Sequence, residues 1–202
     1  MNHTDILNRV SAMRVNRIDL TDRCALLLNL IFVYQVARTS ETILREVAAC
    51  TAGALHDYYA AHLLEEIGHE TWLEADLKTA GIDVKSMPLF KKAIEMAGSQ
   101  YYLLKHYSQY CLLGYMLVVE GFPLPLNYVD DLEEIHGKEL LRTVRYHCIN
   151  DLEHRQDLFD MIDQDMRPEI LESALQTAQY FNEFIHELNS GMYDSLVKDM
   201  PC

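Results

Sequence analysis

Two short segments of the chain set metal-binding and proton-moving residue types at helical spacing. In RYHCINDLEHRQD, His147, Asp151 and His154 stand at i, i+4 and i+7. At 3.6 residues per turn they fall within an arc of roughly 60°, so all three point at one spot. Two imidazoles and a carboxylate suit iron, zinc or manganese. HLLEEIGHE repeats the spacing with His62, Glu66 and His69. Either stripe alone also reads as a solvated helix face, as short motifs often do. Two such stripes in one chain weaken that reading.

Glu65 and Glu66 both border the first stripe, and either is placed to reach a metal. Glu70, Glu74 and Asp76 read as solvated surface charges. Glu120 closes the apolar run CLLGYMLVVE, where a carboxylate needs a partner, a metal or access to water. Carboxylates and imidazoles aimed inward from several facing helices are how a helical bundle builds a two-iron site. Glu66, Glu120 and Asp151 would supply three negative charges to a divalent pair. The many tyrosines, among them Tyr58, Tyr59, Tyr107 and Tyr115, read as packing residues with hydrogen-bonded hydroxyls. His106 reads as a core or surface histidine, and His3, His56, His136 and His186 belong to no constellation.

The elements that would carry these residues are helices. Apolar residues recur at helical spacing in every long segment, and no stretch alternates as a strand does. Asp22 or Thr21 predicts the start of a helix through Val36, and Thr39 or Ser40 the start of another to about Cys50. From Ala54 to Ala80 the pattern predicts one long helix ended by Gly81. Further helices are expected over Leu89–Ala97, Ser99–Glu120, Tyr128–His136 and Lys138–Gln164, with a last one from Arg167 and Pro168 to about Ser190. MYDSLVKDMPC reads as a tail that docks or frays. No linker, repeat or low-complexity segment divides residues 1–202, so one helical domain is expected.

Composition narrows the classes further. Eight Gly and five Pro in 202 residues are too few for the turns of an all-β fold. A net charge of -14 with no basic stripe argues against nucleic acid as a partner. The five cysteines contain no CxxC pair, so neither a zinc knuckle nor a disulfide framework is expected and a reducing compartment fits. The N-terminal residues do not resemble a signal peptide, and the longest apolar run, Ala25 to Val33, is too short to span a bilayer. A cytoplasmic protein without a membrane partner is the expectation.

In order and separation, HLLEEIGHETWLEADL, CLLGYMLVVEG and HCINDLEHRQDL resemble the haem-oxygenase-like di-iron oxidases and oxygenases, from about Tyr58 to Met161. The resemblance implies an all-α, haem-oxygenase-like bundle of about seven helices that uses two non-haem iron ions with dioxygen. The family's HxxxDxxH helix matches His147, Asp151 and His154, its mid-chain glutamate matches Glu120, and its earlier histidine matches His69. The remaining family carboxylate lies three or seven residues before that histidine. Glu66 fits the shorter spacing, whereas His62 stands at the longer one, a departure that puts one iron's ligand set in question. His62 and Glu65 are therefore additional ligand candidates or neighbours of the ligands. Some members draw a carboxylate from the preceding helix, for which Glu41 and Glu46 are the candidates. Relatives often pair, which implies a homodimer.

The expected function is a dioxygen-dependent, non-haem di-iron oxidase or oxygenase acting on a small organic molecule, amino-acid-like or fatty-acid-like, held among the helices. One competitor is a metal-free enzyme of the same fold, like thiaminase II or a cofactor oxidase, for which Cys111 and Cys148 lie on suitable helices. The other is a non-catalytic, metal-binding regulatory protein.

Overall fold

The computed structural model describes residues 1–198 and 200–202, and the side chains of residues 151–154 lie outside that description. The first helix, α1 (His3–Met13), opens on a capping box. The Asn2 side chain accepts from the Asp5 N–H at 3.0 Å, and the Asp5 carboxylate accepts from the Asn2 N–H at 2.9 Å. At α2 (Arg23–Ala37) the Asp22 carboxylate takes the Ala25 N–H at 2.8 Å, as its position in the sequence predicts. There follow α3 (Ser40–Ala49), α4 (Gly53–Glu66), α5 (His69–Thr79), α6 (Lys91–His106), α7 (Cys111–Val119), α8 (Leu126–His136), α9 (Arg142–Gln164), α10 (Pro168–Asn189) and the four-residue α11 (Asp194–Val197). The described residues contain no strand. The all-α expectation holds, but among the described residues ten helices of nine residues or more replace the expected seven or so.

Two interruptions account for much of the difference. The helix expected over residues 54–80 is cut at Ile67 and Gly68, where Gly68 takes a φ of +88° that a residue bearing a Cβ adopts only with strain. The break expected near Gly98 lies instead between α6 and α7, at residues 107–110. There the Gln109 carbonyl, released from any helix, accepts the buried Tyr59 hydroxyl at 2.8 Å. A hydrogen bond from across the fold therefore holds that break, while Gly98 passes quietly through the middle of α6.

Buried side chains from α1 through α10 form one contiguous apolar cluster. The apolar α7 lies along α10, with Gly114 at the closest approach: a Cβ there would stand 2.1 Å from the Ile170 carbonyl oxygen. α4 packs on α3 and α9, and α5 packs on α2 and α9, so the two halves of the broken helix share α9 but otherwise meet different neighbours.

Asp76, expected to be a solvated charge, is 2% exposed. Its carboxylate accepts from Arg142 Nε at 3.0 Å and from the Thr143 N–H at 2.8 Å. It thus reaches from α5 to satisfy an orphan donor of α9 and to set a negative charge at that helix's positive end. Arg145 ties α9 to α8 by pairing with Glu133 at 2.5 Å and with Asp130.

The cysteines depart from the sequence expectation. Cys24 and Cys202, 178 residues apart, form a disulfide, while Cys50, Cys111 and Cys148 are not disulfide-bonded. The C-terminal residues fold back over the start of α2, where Arg23 Nε also donates to the Pro201 carbonyl at 3.1 Å. No helix among the described residues is long and apolar enough to cross a membrane.

Candidate metal centre

The end of α4, the start of α5, the end of α7 and the first half of α9 converge on one wall of an interior cavity of about 440 Å³. His62, Glu66, His69, Glu120 and His147 all line it. Gly68 makes this possible, because the chain turns there and His69 starts a new helix instead of extending the stripe of His62 and Glu66.

The side chains meet in pairs. His62 Nε2 lies 3.1 Å from Glu120 Oε1, and its Nδ1 lies 3.3 Å from Glu65 Oε2. His69 Nδ1 lies 3.0 Å from Glu66 Oε1. The His69 ring is packed 4.4 Å from Trp72, centroid to centroid, and stands perpendicular to the His147 ring at 4.8 Å. This last contact joins the two histidine segments that the sequence singled out.

Burial opposes a charge on His62, yet Glu120 beside it, with help from Glu65 and Glu66, raises its pKa well above the usual imidazole value. Burial likewise opposes a charged Glu66, but His69, together with the charges of His62 and His147, holds that carboxyl below its usual range. The Tyr115 hydroxyl is pushed up by burial and by Glu66 and Glu120.

Among the described residues, several polar atoms here have no hydrogen-bond partner. Both ring nitrogens of His69 and Oε2 of Glu120 are buried and unsatisfied, since Glu66 approaches His69 outside hydrogen-bond geometry. Buried polar atoms are normally satisfied, so a cluster of exceptions in one cavity calls for an explanation. Among the described residues, no group of three or more His, Cys, Asp and Glu is gathered closely enough to hold a metal ion. Two of the sequence-predicted ligands, Asp151 and His154, lie outside the described side chains.

Glu65 is near His62 but does not line the cavity, and its side chain is 39% exposed. Glu41 and Glu46 are drawn off by Arg45 at 2.7 Å and Lys105 at 2.8 Å, and neither lines the cavity. His106 is exposed against Tyr102. His56 and His136 bond to the carbonyls of Ala48 and Leu20, and His3 pairs with Asp163. Sequence reasoning missed Asn29, whose Oδ1 is buried on the cavity wall without a hydrogen-bond partner among the described residues. The signal was present, as a lone amide within the apolar run from Ala25 to Val33.

No protein-family model matches the chain, and no curated protein matches it. Among solved structures it is similar to a crystal structure from Shewanella denitrificans OS217 of a domain of unknown function with a haem-oxygenase-like fold. The two superpose with a TM-score of 0.77 at 12% identity, over 95% of this chain and 92% of that one. The chain therefore has a haem-oxygenase-like fold.

Proposed function

We propose that this protein is a non-haem di-iron oxidase or oxygenase that uses dioxygen to oxidise a small organic molecule held in the cavity. The observation that carries this reading is the set of buried, unsatisfied atoms on His69 and Glu120, within a cavity that His62, Glu66 and His147 also line. Imidazole nitrogens and carboxylate oxygens are the donors such iron prefers, so the residues fit the group. Glu66, His69, Glu120 and His147 would hold it, with Asp151 and His154 from α9 completing the set. An iron pair, when bound, supplies the electrons and open coordination positions for reducing dioxygen.

The chain's own residues do the rest. Trp72 and His147 fix the plane of the His69 ring, Asp76 anchors the helix that carries His147, and the apolar walls keep water from the cavity. His62 holds a proton against Glu120 and is the group placed to give or take one there.

A thiol-based reading draws no support from the cysteines. Cys111 does not line the cavity, and burial pushes its thiol up to about 11, opposite to what a nucleophile needs. The Cys148 thiol, which does line it, donates to the Leu124 carbonyl at 3.0 Å.

The test is iron stoichiometry after anaerobic loading with ferrous ion, followed by oxygen exposure in an optical or Mössbauer experiment. Two irons per chain with a coupled signal are expected. His69→Ala and His147→Ala should bind iron poorly, whereas His186→Ala should match the parent. Retention of full iron content by both cavity variants would remove the reading.

A further inference from the structure

On the wall that carries His69 and His147, two aromatic rings stand between the cavity and the solvent. His69 and His147 line the cavity, whereas Trp72 and Tyr146 do not and are 39% and 40% exposed. The Trp72 ring, 4.4 Å from His69, meets Tyr146 edge-on at 5.0 Å between centroids. Tyr146 in turn lies 5.9 Å from His69 and 5.8 Å from His147. The four rings are therefore one continuous cluster, with two imidazoles on the cavity side and an indole and a phenol on the outside.

Packing alone does not account for this arrangement. A large aromatic side chain stabilises a fold most when it is covered, yet the chain's one tryptophan stands partly in water. Ile67, at the corner before α5, and Ile149, three residues after Tyr146 on the same side of α9, are also exposed. Exposed apolar groups gathered in this way mark places where another molecule makes contact. The exposed pair Tyr102 and His106, with centroids 4.9 Å apart, differs because neither ring reaches the cavity. Electrons cross protein by tunnelling, whose rate falls steeply with distance, and contiguous rings shorten the gap. Repeated reduction of dioxygen at a metal consumes electrons that must come from outside the cavity.

We propose that Trp72, with Tyr146 beside it, is the port through which a one-electron reductant at the surface reduces a metal ion held by His69 and His147. Each transfer oxidises the reductant by one electron and lowers the charge of the metal by one, so two transfers return a ferric pair to the ferrous state. No bond forms or breaks, and the indole keeps its N–H proton, because the rings only conduct. The need for these electrons rests on the di-iron reading given above. The path itself serves any redox-active ion bound to those imidazoles.

The test adds cupric ion to the metal-free full chain, because copper takes imidazole donors more tightly than ferrous iron does. Trp72 is the sole indole, so its fluorescence reads this one position. Cupric ion should quench most of that emission by accepting an electron from the excited ring, and His69→Ala should restore it. Zinc, which takes the same donors without redox chemistry, should leave the emission within about twofold. The copper-loaded chain is then mixed with reduced methyl viologen, and loss of the cupric paramagnetic signal is timed. Trp72→Leu should slow the reduction about tenfold, Trp72→Phe should fall between, and Tyr102→Leu should match the parent. Equal quenching by zinc and copper, quenching that survives in His69→Ala, or an unchanged rate in copper-bound Trp72→Leu overturns the proposal. Should Trp72→Leu fail to fold or to hold copper, Trp72→Phe and the quenching of the parent chain decide. A chain that passes these tests but loads fewer than two irons loses the oxidase reading and keeps the port, and one that loads two irons but fails them does the reverse.

Discussion

Nε2 of His62 lies 3.1 Å from Oε1 of Glu120, joining the middle of the helix-turn-helix α4–α5 to the residue that caps the apolar α7. Because Glu120 raises the His62 pKa, the folded chain keeps a proton there that the unfolded chain loses near the ordinary value of 6.5. The stabilisation is fully present below that value and is lost as pH rises through the raised, folded value. In the metal-free protein, urea denaturation between about pH 6 and 9 should show stability falling with pH. Glu120→Gln should flatten that slope, and an unchanged slope would disprove the assignment.

Asp76 offers a stability test that does not touch the cavity. Asp76→Ala removes the acceptor for Arg142 and for the Thr143 N–H, at a cost of about 2–3 kcal/mol. Asp76→Asn retains one acceptor and should lose about half as much. Chemical denaturation monitored by circular dichroism measures both. An Asp76→Ala chain as stable as the parent would show that α9 is fixed by other contacts.

Two glycines in helices should respond to alanine with opposite signs. At Gly114 a Cβ would meet the Ile170 carbonyl oxygen at 2.1 Å and the Ala174 nitrogen at 2.9 Å, so Gly114→Ala should cost about 1–3 kcal/mol or more as α7 and α10 separate. At Gly98 a Cβ would meet nothing within 4 Å, and Gly98→Ala should stabilise α6 by about 0.5–1 kcal/mol. Melting temperatures of the two variants, read together, check the placement of both helices.

The disulfide predicts a thiol count and a stability loss. Unreduced, denatured protein should titrate three thiols, those of Cys50, Cys111 and Cys148. Reduction, or Cys202→Ser, should lower stability by about 2–4 kcal/mol, because the bond closes most of the chain into one loop. Five titratable thiols before reduction would contradict the pairing.

Helix type was legible throughout the sequence, and so were caps such as Asp22, because periodicity and capping are local. What stayed hidden depends on distant residues. The break before α7 is held by Tyr59, and the burial of Asp76 depends on α9, neither of which any window of sequence around them shows. Gly68 was in view, but a glycine inside a helical pattern is often tolerated, and only its φ of +88° shows a corner. His62, Glu66, His69 and His147 were identified from spacing and Glu120 from its place at the end of an apolar run, and all five line one cavity. The stripe drawn through His62, Glu66 and His69 was nevertheless geometrically wrong, since a continuous helix does not join them.

The corner at Gly68 has a consequence for partly folded states. His62 and Glu66 travel with α4 and its neighbour α3, while His69 travels with α5 and its neighbour α2. A molten globule that kept all its helical content but lost fixed packing would therefore retain its far-ultraviolet circular dichroism and scatter the cluster. Ion binding at this site would then report tertiary order independently of helix content, as an internal gauge of whether the bundle has closed.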